Sequence, residues 1–341
     1  MSIYPDGTWT RALPSDVGLN PGRLAEAEKW LDARAGEGGY RFAVVKDGAL
    51  VVDLSRGIGR LERLQIASAA KSVYSNVLGI AVEEGMLPSA DAPVVDVYPE
   101  MMDVPAGEGP KEGRYAFPKD AGITFRQLIC NVSGYMKPGE EPGKVFHYQT
   151  YGMNVLTHSV AKAYGMYDVA DPTGSAGFGQ LIKEKLAGVI GADFTYRLTN
   201  FKLHEKARLP IFGYYCQVCT TALDLARLGW LWCNWGRWQD QQVVPEAWMR
   251  ETVAVNPFLI ANAPEEQWVY GHGFWTNERG VQWPDLPRDG FTSAGAGGHF
   301  VSVFPSQQLV VVQNPAPHGT PRPGATRANG DLLALVLAAV R

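Results

Sequence analysis

The residues that could do chemistry in this 341-residue chain begin with Ser68 and Lys71. They stand three apart in the run Gln65-Ile66-Ala67-Ser68-Ala69-Ala70-Lys71-Ser72, with an apolar segment behind it. On a helix, residues three apart share a face, with Cβ atoms about 5–6 Å apart, so an amine lies beside a hydroxyl. A serine hydroxyl is a poor nucleophile until a base within hydrogen-bond reach takes its proton, and the lysine supplies one locally. Alone, the tetrapeptide also reads as a helix N-cap serine followed by a solvated lysine, so its meaning depends on context.

Two more segments supply that context. Tyr148, in Phe146-His147-Tyr148-Gln149-Thr150, stands at a loop-to-helix junction, from which a side chain can enter a cleft. A phenol titrates near 10 when unperturbed. A cationic lysine nearby lowers that value, while burial lowers the pKa of the lysine, and such a pair can act as general base and then acid. The plainer reading is a core tyrosine with a satisfied hydroxyl. The second segment, Ser293-Ala294-Gly295-Ala296-Gly297-Gly298-His299-Phe300, leads directly into a strand. Its glycines let backbone approach a ligand closely, and a strand-edge amide could pair with that of Ser68 as an oxyanion hole. In isolation it is equally an ordinary glycine-rich turn.

The elements that must position these residues are readable in outline. Asn20-Pro21-Gly22-Arg23 opens a helix with Leu24, Ala27, Trp30 and Leu31 at helical spacing, closed by residues 36–39. Residues 41–45 and 49–53 read as strands joined by the Asp47-Gly48 hairpin signal. Ser68 to Glu84 is a long, mostly apolar helix, Asp103 to Ala121 a surface excursion, and 125–130 and 154–164 short helices. Ala222 to Trp235 reads as a helix with Leu223, Ala226, Leu228 and Leu231 on its apolar side, followed by a short helix at 245–253 and a loop-rich stretch from 256 to 289. Residues 300–304 and 308–312 form a second hairpin, 315–323 a turn-rich linker, and 331–341 a closing apolar helix. Strands and a helix at each end with helices between predict an α+β fold: one antiparallel sheet built from both chain ends and flanked by the terminal helices, plus a mostly helical lobe. The corresponding division is a discontinuous sheet domain, 1–66 with 200–341, and a helical domain, 67–199.

Composition excludes several classes. The chain is 46% hydrophobic and 19% charged with a net charge of -4, which gives no support to nucleic-acid or anionic-membrane binding. No apolar run reaches the roughly 18–20 residues of a membrane span. The opening Met1-Ser2-Ile3-Tyr4-Pro5 lacks the basic and apolar regions of a signal peptide, so a cytoplasmic location is expected. Cys216-Gln217-Val218-Cys219 is a CxxC without a second CxxC or a His pair, so the four cysteines are expected to be buried free thiols. No metal and no cofactor are expected.

Together these segments resemble the serine β-lactamase-like superfamily, above all the class C β-lactamase-type esterases and the nylon-oligomer-type linear-amide hydrolases. The resemblance runs through nearly the whole chain: Ala67-Ser68-Ala69-Ala70-Lys71-Ser72, Gly79 to Gly85, Asp91 to Val94, Tyr98-Pro99-Glu100, Ile123 to Leu128, Ser133-Gly134, and Thr221 to Gly229. It implies a β-lactamase/transpeptidase-like fold, Ser68 as the acylated nucleophile, Lys71 as its proton partner and Tyr148, from a Y-x-N motif, as general base. Gly295 matches the glycine of K-T-G, and Ala296 supplies the oxyanion amide beside that of Ser68. Thr150, Ser293 and Gly295 fall at substrate-binding positions. Two positions depart from the pattern: Thr150 replaces the Y-x-N asparagine, and Ser293-Ala294 replace Lys-Thr. Both point away from β-lactam turnover and towards a small ester, with an amidase acting on linear amides or peptides as the alternative and a β-lactamase or DD-peptidase behind it. A non-catalytic binding protein on the same fold is the contrasting reading. His147 and His299 flank the site with no matching Asp. The tryptophans from Trp230 to Trp283 are either core or the wall of an acyl pocket.

Overall fold

The computed structural model describes residues 3–35, 38–200, 203, 206–317 and 325–341, the side chains of 325–328 aside. Eleven strands lie among the described residues. β1 (Tyr40–Lys46) and β2 (Ala49–Arg56) form the N-terminal hairpin, turning through Asp47 and Gly48 at φ 52° and 84°. β3 (Leu64–Gln65), β4 (Thr195–Thr199) and β5 (Tyr215–Thr220) make a small sheet in the order β3-β5-β4. β6 (Arg237–Trp238) and β7 (Gln241–Gln242) pair alone. β8 (Trp275–Thr276), β9 (Phe291–Gly295), β10 (His299–Phe304) and β11 (Leu309–Gln313) complete a six-stranded antiparallel sheet, ordered β2-β1-β11-β10-β9-β8.

The two terminal hairpins pair as expected, β1 on β11, with Val44 opposite Val311. Period-two alternation sends successive side chains to opposite faces. Phe42, Val44 and Val311 face a cluster made with Leu24, Ala27 and Leu31 of helix Pro21–Asp32 and Leu332, Leu333 and Val336 of helix Ala325–Leu337. Ala43, Val45, Val310 and Val312 face the larger core. The terminal helices therefore cover one face, and helix Ala222–Cys233 covers the other. It comes so close that a Cβ on Gly229 would lie 2.4 Å from Val310 Cγ1. Packed on both sides, this helix buries Leu225, Trp230 and Trp232 as well as Ala226, Leu228 and Leu231, while the predicted Leu223 is only partly covered.

Asn20 caps the first helix by accepting from the Arg23 amide, and the helix ends at Asp32; residues 36 and 37 of its expected stop, and 318–323 of the expected linker, lie outside the described residues. The nucleophile segment is a 3-10 turn, Ala67–Ala69, running into helix Ala70–Glu83, which is buried from Ala70 to Ala81. Helix Tyr151–Ala163 starts three residues before its expected position. The excursion 103–121 is pinned at its end by buried Asp120, which accepts from the amides of Phe117 and Met136 at 3.1 and 3.0 Å. The CxxC lies on β5. All four thiols are free, three of them buried and Cys219 half-buried. Among the described residues, no helix is long and apolar enough to cross a membrane, and no group of three His, Cys, Asp or Glu could hold a metal ion.

Candidate active site

Ser68 sits in a turn held from three sides. The Ile66 amide donates to Val218 O of β5 at 3.0 Å, and Tyr215 Oη donates to Ala67 O at 2.9 Å. Ser293 Oγ of β9 donates to Ala69 O at 2.8 Å. Between these anchors Ala67 adopts φ 47°, a left-handed conformation costly for a residue with a Cβ. The turn leaves Ser68 partly exposed at the start of a 14-residue helix. Helix N-terminal amides and dipole favour negative charge there.

Lys71, 1% exposed, donates from Nζ to Ser68 Oγ at 2.9 Å. Burial pulls its amine down to about 7, so near neutrality a large fraction is the free base. Its Nζ also lies 4.4 Å from the centroid of the Tyr148 ring, close enough for the ring face to stabilise the ammonium. Ser68 is close enough to the Tyr148 hydroxyl to lower its pKa, so one hydroxyl, one amine and one phenol gather here. Tyr148 is pushed up to about 12, mainly by burial and against the lowering effect of Ser68. The lowering expected from a cationic lysine does not win: burial raises the phenol by more than its neighbours lower it.

Tyr148 is held by aromatic neighbours distant in sequence. Its ring meets Tyr270 edge-on at 5.8 Å and lies 5.7 Å from Trp275. Buried Asn131, at φ 58°, fixes the loop on both sides: its carbonyl accepts from the His147 amide at 2.8 Å and its Oδ1 from the Gln149 amide at 3.0 Å. Its Nδ2 donates to Tyr270 Oη at 3.1 Å. The sequence reading missed Asn131; the only signal was an Asn, which tolerates the left-handed region, just before Ser133-Gly134. Of the tryptophans, Trp275 pairs with the Tyr148 ring, and Trp268 packs in the same small cluster. Trp230, Trp232, Trp248 and Trp283 are buried in the core.

β9 lies against the nucleophile turn as the sequence suggested. A Cβ on Gly295 would sit 2.0 Å from Ile66 O and 2.9 Å from the Ala69 amide nitrogen, so only glycine permits this approach. Ala296 follows, exposed, in the hairpin turn. Ser293, expected at a substrate-binding position, is buried, and its hydroxyl donates to Ala69 O, tying strand to turn. His299 is buried behind the turn and accepts at Nδ1 from Asn314 Nδ2 at 2.9 Å. Burial, aided by the charge of Arg41, holds it down at about 4, hence neutral. Arg41 was also missed. Its Nε donates to Asn314 O at 2.6 Å, Nη2 to Asn314 Oδ1, and Nη1 to the carbonyls of Gly59, Arg60 and Glu62. Thr150 is the N-cap of helix Tyr151–Ala163 and, with His147, lines a cavity beside the Tyr148 segment.

With this geometry in hand, the chain can be placed among known proteins. The Beta-lactamase family model matches residues 24–314. The chain belongs to the beta-lactamase family and is a serine hydrolase with the β-lactamase/transpeptidase-like fold. Among solved structures it is similar to a penicillin-binding protein homolog from Caulobacter crescentus, with 18% identity and a TM-score of 0.65 over 93% of this chain and 99% of that one. A beta-lactamase from Mycobacterium bovis aligns with 20% identity and a TM-score of 0.62 over 92% and 98%. A family VIII carboxylesterase aligns with 16% identity and a TM-score of 0.65 over 94% and 99%. At these identities the likeness is one of fold. No curated protein matches the sequence.

Proposed function

We propose that the chain hydrolyses small carboxylic esters through a Ser68 acyl-enzyme. The observation that carries this reading is the bond from Lys71 Nζ to Ser68 Oγ, made by an amine that burial holds near 7. Neutral Lys71 takes the Ser68 proton as Oγ attacks the acyl carbon. The oxyanion forms against the amides of Ser68 and Ala296. Collapse expels the alkoxide, which receives the proton back from the Lys71 ammonium, relayed by the Tyr148 hydroxyl. A water deprotonated along the same path then frees the acid and restores Ser68. This assigns Lys71 as base and Tyr148 as proton carrier, because a phenol at about 12 keeps its proton at neutral pH.

The same protonated Tyr148 favours a second reading, hydrolysis of linear amides, whose amine leaving group must be protonated to depart. Parallel rates on an ester and its isosteric amide separate the two. A serine-directed fluorophosphonate probe with intact-mass and peptide readout tests the core of the proposal. One adduct is expected, on Ser68, and Ser68→Ala should fold normally yet neither label nor turn over. Labelling of another serine, or near-native turnover by Ser68→Ala, would overturn the mechanism.

A further inference from the structure

On the strand edge beside the Ser68 turn stand Ser293 and Ala294, neither of them a cation. Cations gather elsewhere. A cavity of about 360 Å³ beside the Tyr148 segment is lined by Lys111, Arg114, Lys137, His147, Thr150 and Tyr151. That volume suits part of a small ligand. Arg114 is half-buried and anchored on backbone, donating from Nε to Met136 O at 2.5 Å and from Nη2 to Tyr135 O at 3.1 Å. Its Nη2 also reaches Gln149 Oε1 at 3.4 Å, which ties it to the residue after Tyr148. Buried Lys137 pairs with Glu140 at 3.0 Å, and Glu140 also meets His147 Nδ1 at 3.0 Å. Among the described residues, Lys111 and Arg114 form no ion pair, so of the three cations lining the cavity only Lys137 is matched by a carboxylate. Thr150 Oγ1 makes no capping bond to its own helix, and the positive end of that 13-residue helix opens at the same place.

A partly buried guanidinium fixed on carbonyls, with an unpaired lysine beside it, is a receptor for a planar anion, because charge-assisted bonds are shorter and stronger than neutral ones. The cavity is lined by His147 and Gln149, the residues on either side of Tyr148. A ligand seated there adjoins the segment that carries Tyr148. We propose that this cavity binds a carboxylate on the acyl part of the substrate, so that the preferred substrates are half-esters or half-amides of short linear dicarboxylic acids. The assignment rests on Ser68 as the acylated residue.

Two p-nitrophenyl esters of equal length test it: the monoester of glutaric acid and the neutral pentanoate. At low ionic strength kcat/KM for the half-ester should exceed that for the neutral ester by about tenfold or more, chiefly through KM. The ratio should fall as salt is raised, and Lys111→Glu, a change at an exposed residue, should collapse it. Binding is read separately by calorimetry on Ser68→Ala with glutaramate, the monoamide of the same acid, and should weaken in the Ser68→Ala, Lys111→Glu double variant. Equal kcat/KM values for the two esters in the wild type, or glutaramate binding indifferent to Lys111→Glu, would overturn the proposal. So would inorganic phosphate binding that fails to compete with glutaramate. Failure of the Ser68 reading looks different: the probe labels another serine, while the glutaramate titration still decides whether the cavity takes a carboxylate.

Discussion

Lys71 illustrates what one buried side chain can set. Its amine loses water on every side, and desolvation disfavours the ammonium, which brings the group down to about 7. A base must be unprotonated to act, so kcat/KM should rise with pH along a single limb centred near 7 and then stay flat through the mildly alkaline range. Tyr148, pushed up to about 12, remains protonated throughout and adds no limb there. Lys71→Ala should abolish the limb with most of the activity. Tyr148→Phe should lower the plateau by about 10²–10⁴-fold and leave the limb in place. A rate that keeps climbing towards 12 would instead make the phenolate the base. At this scale the sequence was informative, because Ser68 and Lys71 are local neighbours whose spacing states their contact. The ionisation of Tyr148 was not legible: its burial comes from Tyr270 and Trp275, which no local pattern links to residue 148.

Between elements, the decisive contact is β9 against the turn that carries Ser68. Gly295 has no room for a side chain, since a Cβ would lie 2.0 Å from the Ile66 carbonyl, a backbone atom that cannot swing away. Gly295→Ala should therefore push β9 off the turn, stretch the Ser293 to Ala69 bond and move the Ala296 amide away from Ser68. Overpacking of this kind typically costs about 1–3 kcal/mol. The expected outcome is a lowered melting temperature together with fluorophosphonate labelling slowed at least tenfold, as expected for loss of an oxyanion donor. Labelling at the native rate in a folded Gly295→Ala protein would show that β9 does not shape the oxyanion site. The glycine-rich segment was legible as a close approach of backbone because glycine has few other reasons to cluster before a strand. Its partner was not, since a sequence shows that room is required but not what fills it. The β3-β5-β4 sheet went unseen for a related reason: β3 is two residues long, and β4 and β5 lack the valine-rich pattern that marks β10 and β11.

Across the whole molecule, the proposed nucleophile Ser68 and its proposed oxyanion partner Ala296 come from opposite parts of the chain, and β9 of the six-stranded sheet lies against the Ser68 turn. Pairing of the terminal hairpins could be expected from their alternation, but the residue that locks the junction could not, because an arginine in a strand reads as a solvated edge. Arg41 is instead 1% exposed. It binds the carbonyls of Gly59, Arg60 and Glu62, which lead into β3 and the Ser68 turn. It also binds Asn314, which holds His299 at the base of the turn carrying Ala296. The Ser68 turn and the turn carrying Ala296, the two halves of the proposed oxyanion site, thus refer to one guanidinium. Arg41→Met keeps the bulk and removes the donors, stranding several carbonyls at about 1–3 kcal/mol for each one left unpaired. A destabilised but folded enzyme is expected. Its kcat should fall by up to about a hundredfold, the scale set by a misplacement of roughly 1 Å, while KM for a small neutral ester changes little because Arg41 touches no substrate. Arg41→Lys, with one point charge in place of a fork, should recover part of the stability and less of the rate. The measurement is kcat per active site, counted by fluorophosphonate titration, beside thermal unfolding of the same samples. Native kcat in folded Arg41→Met would mean that this network serves stability alone.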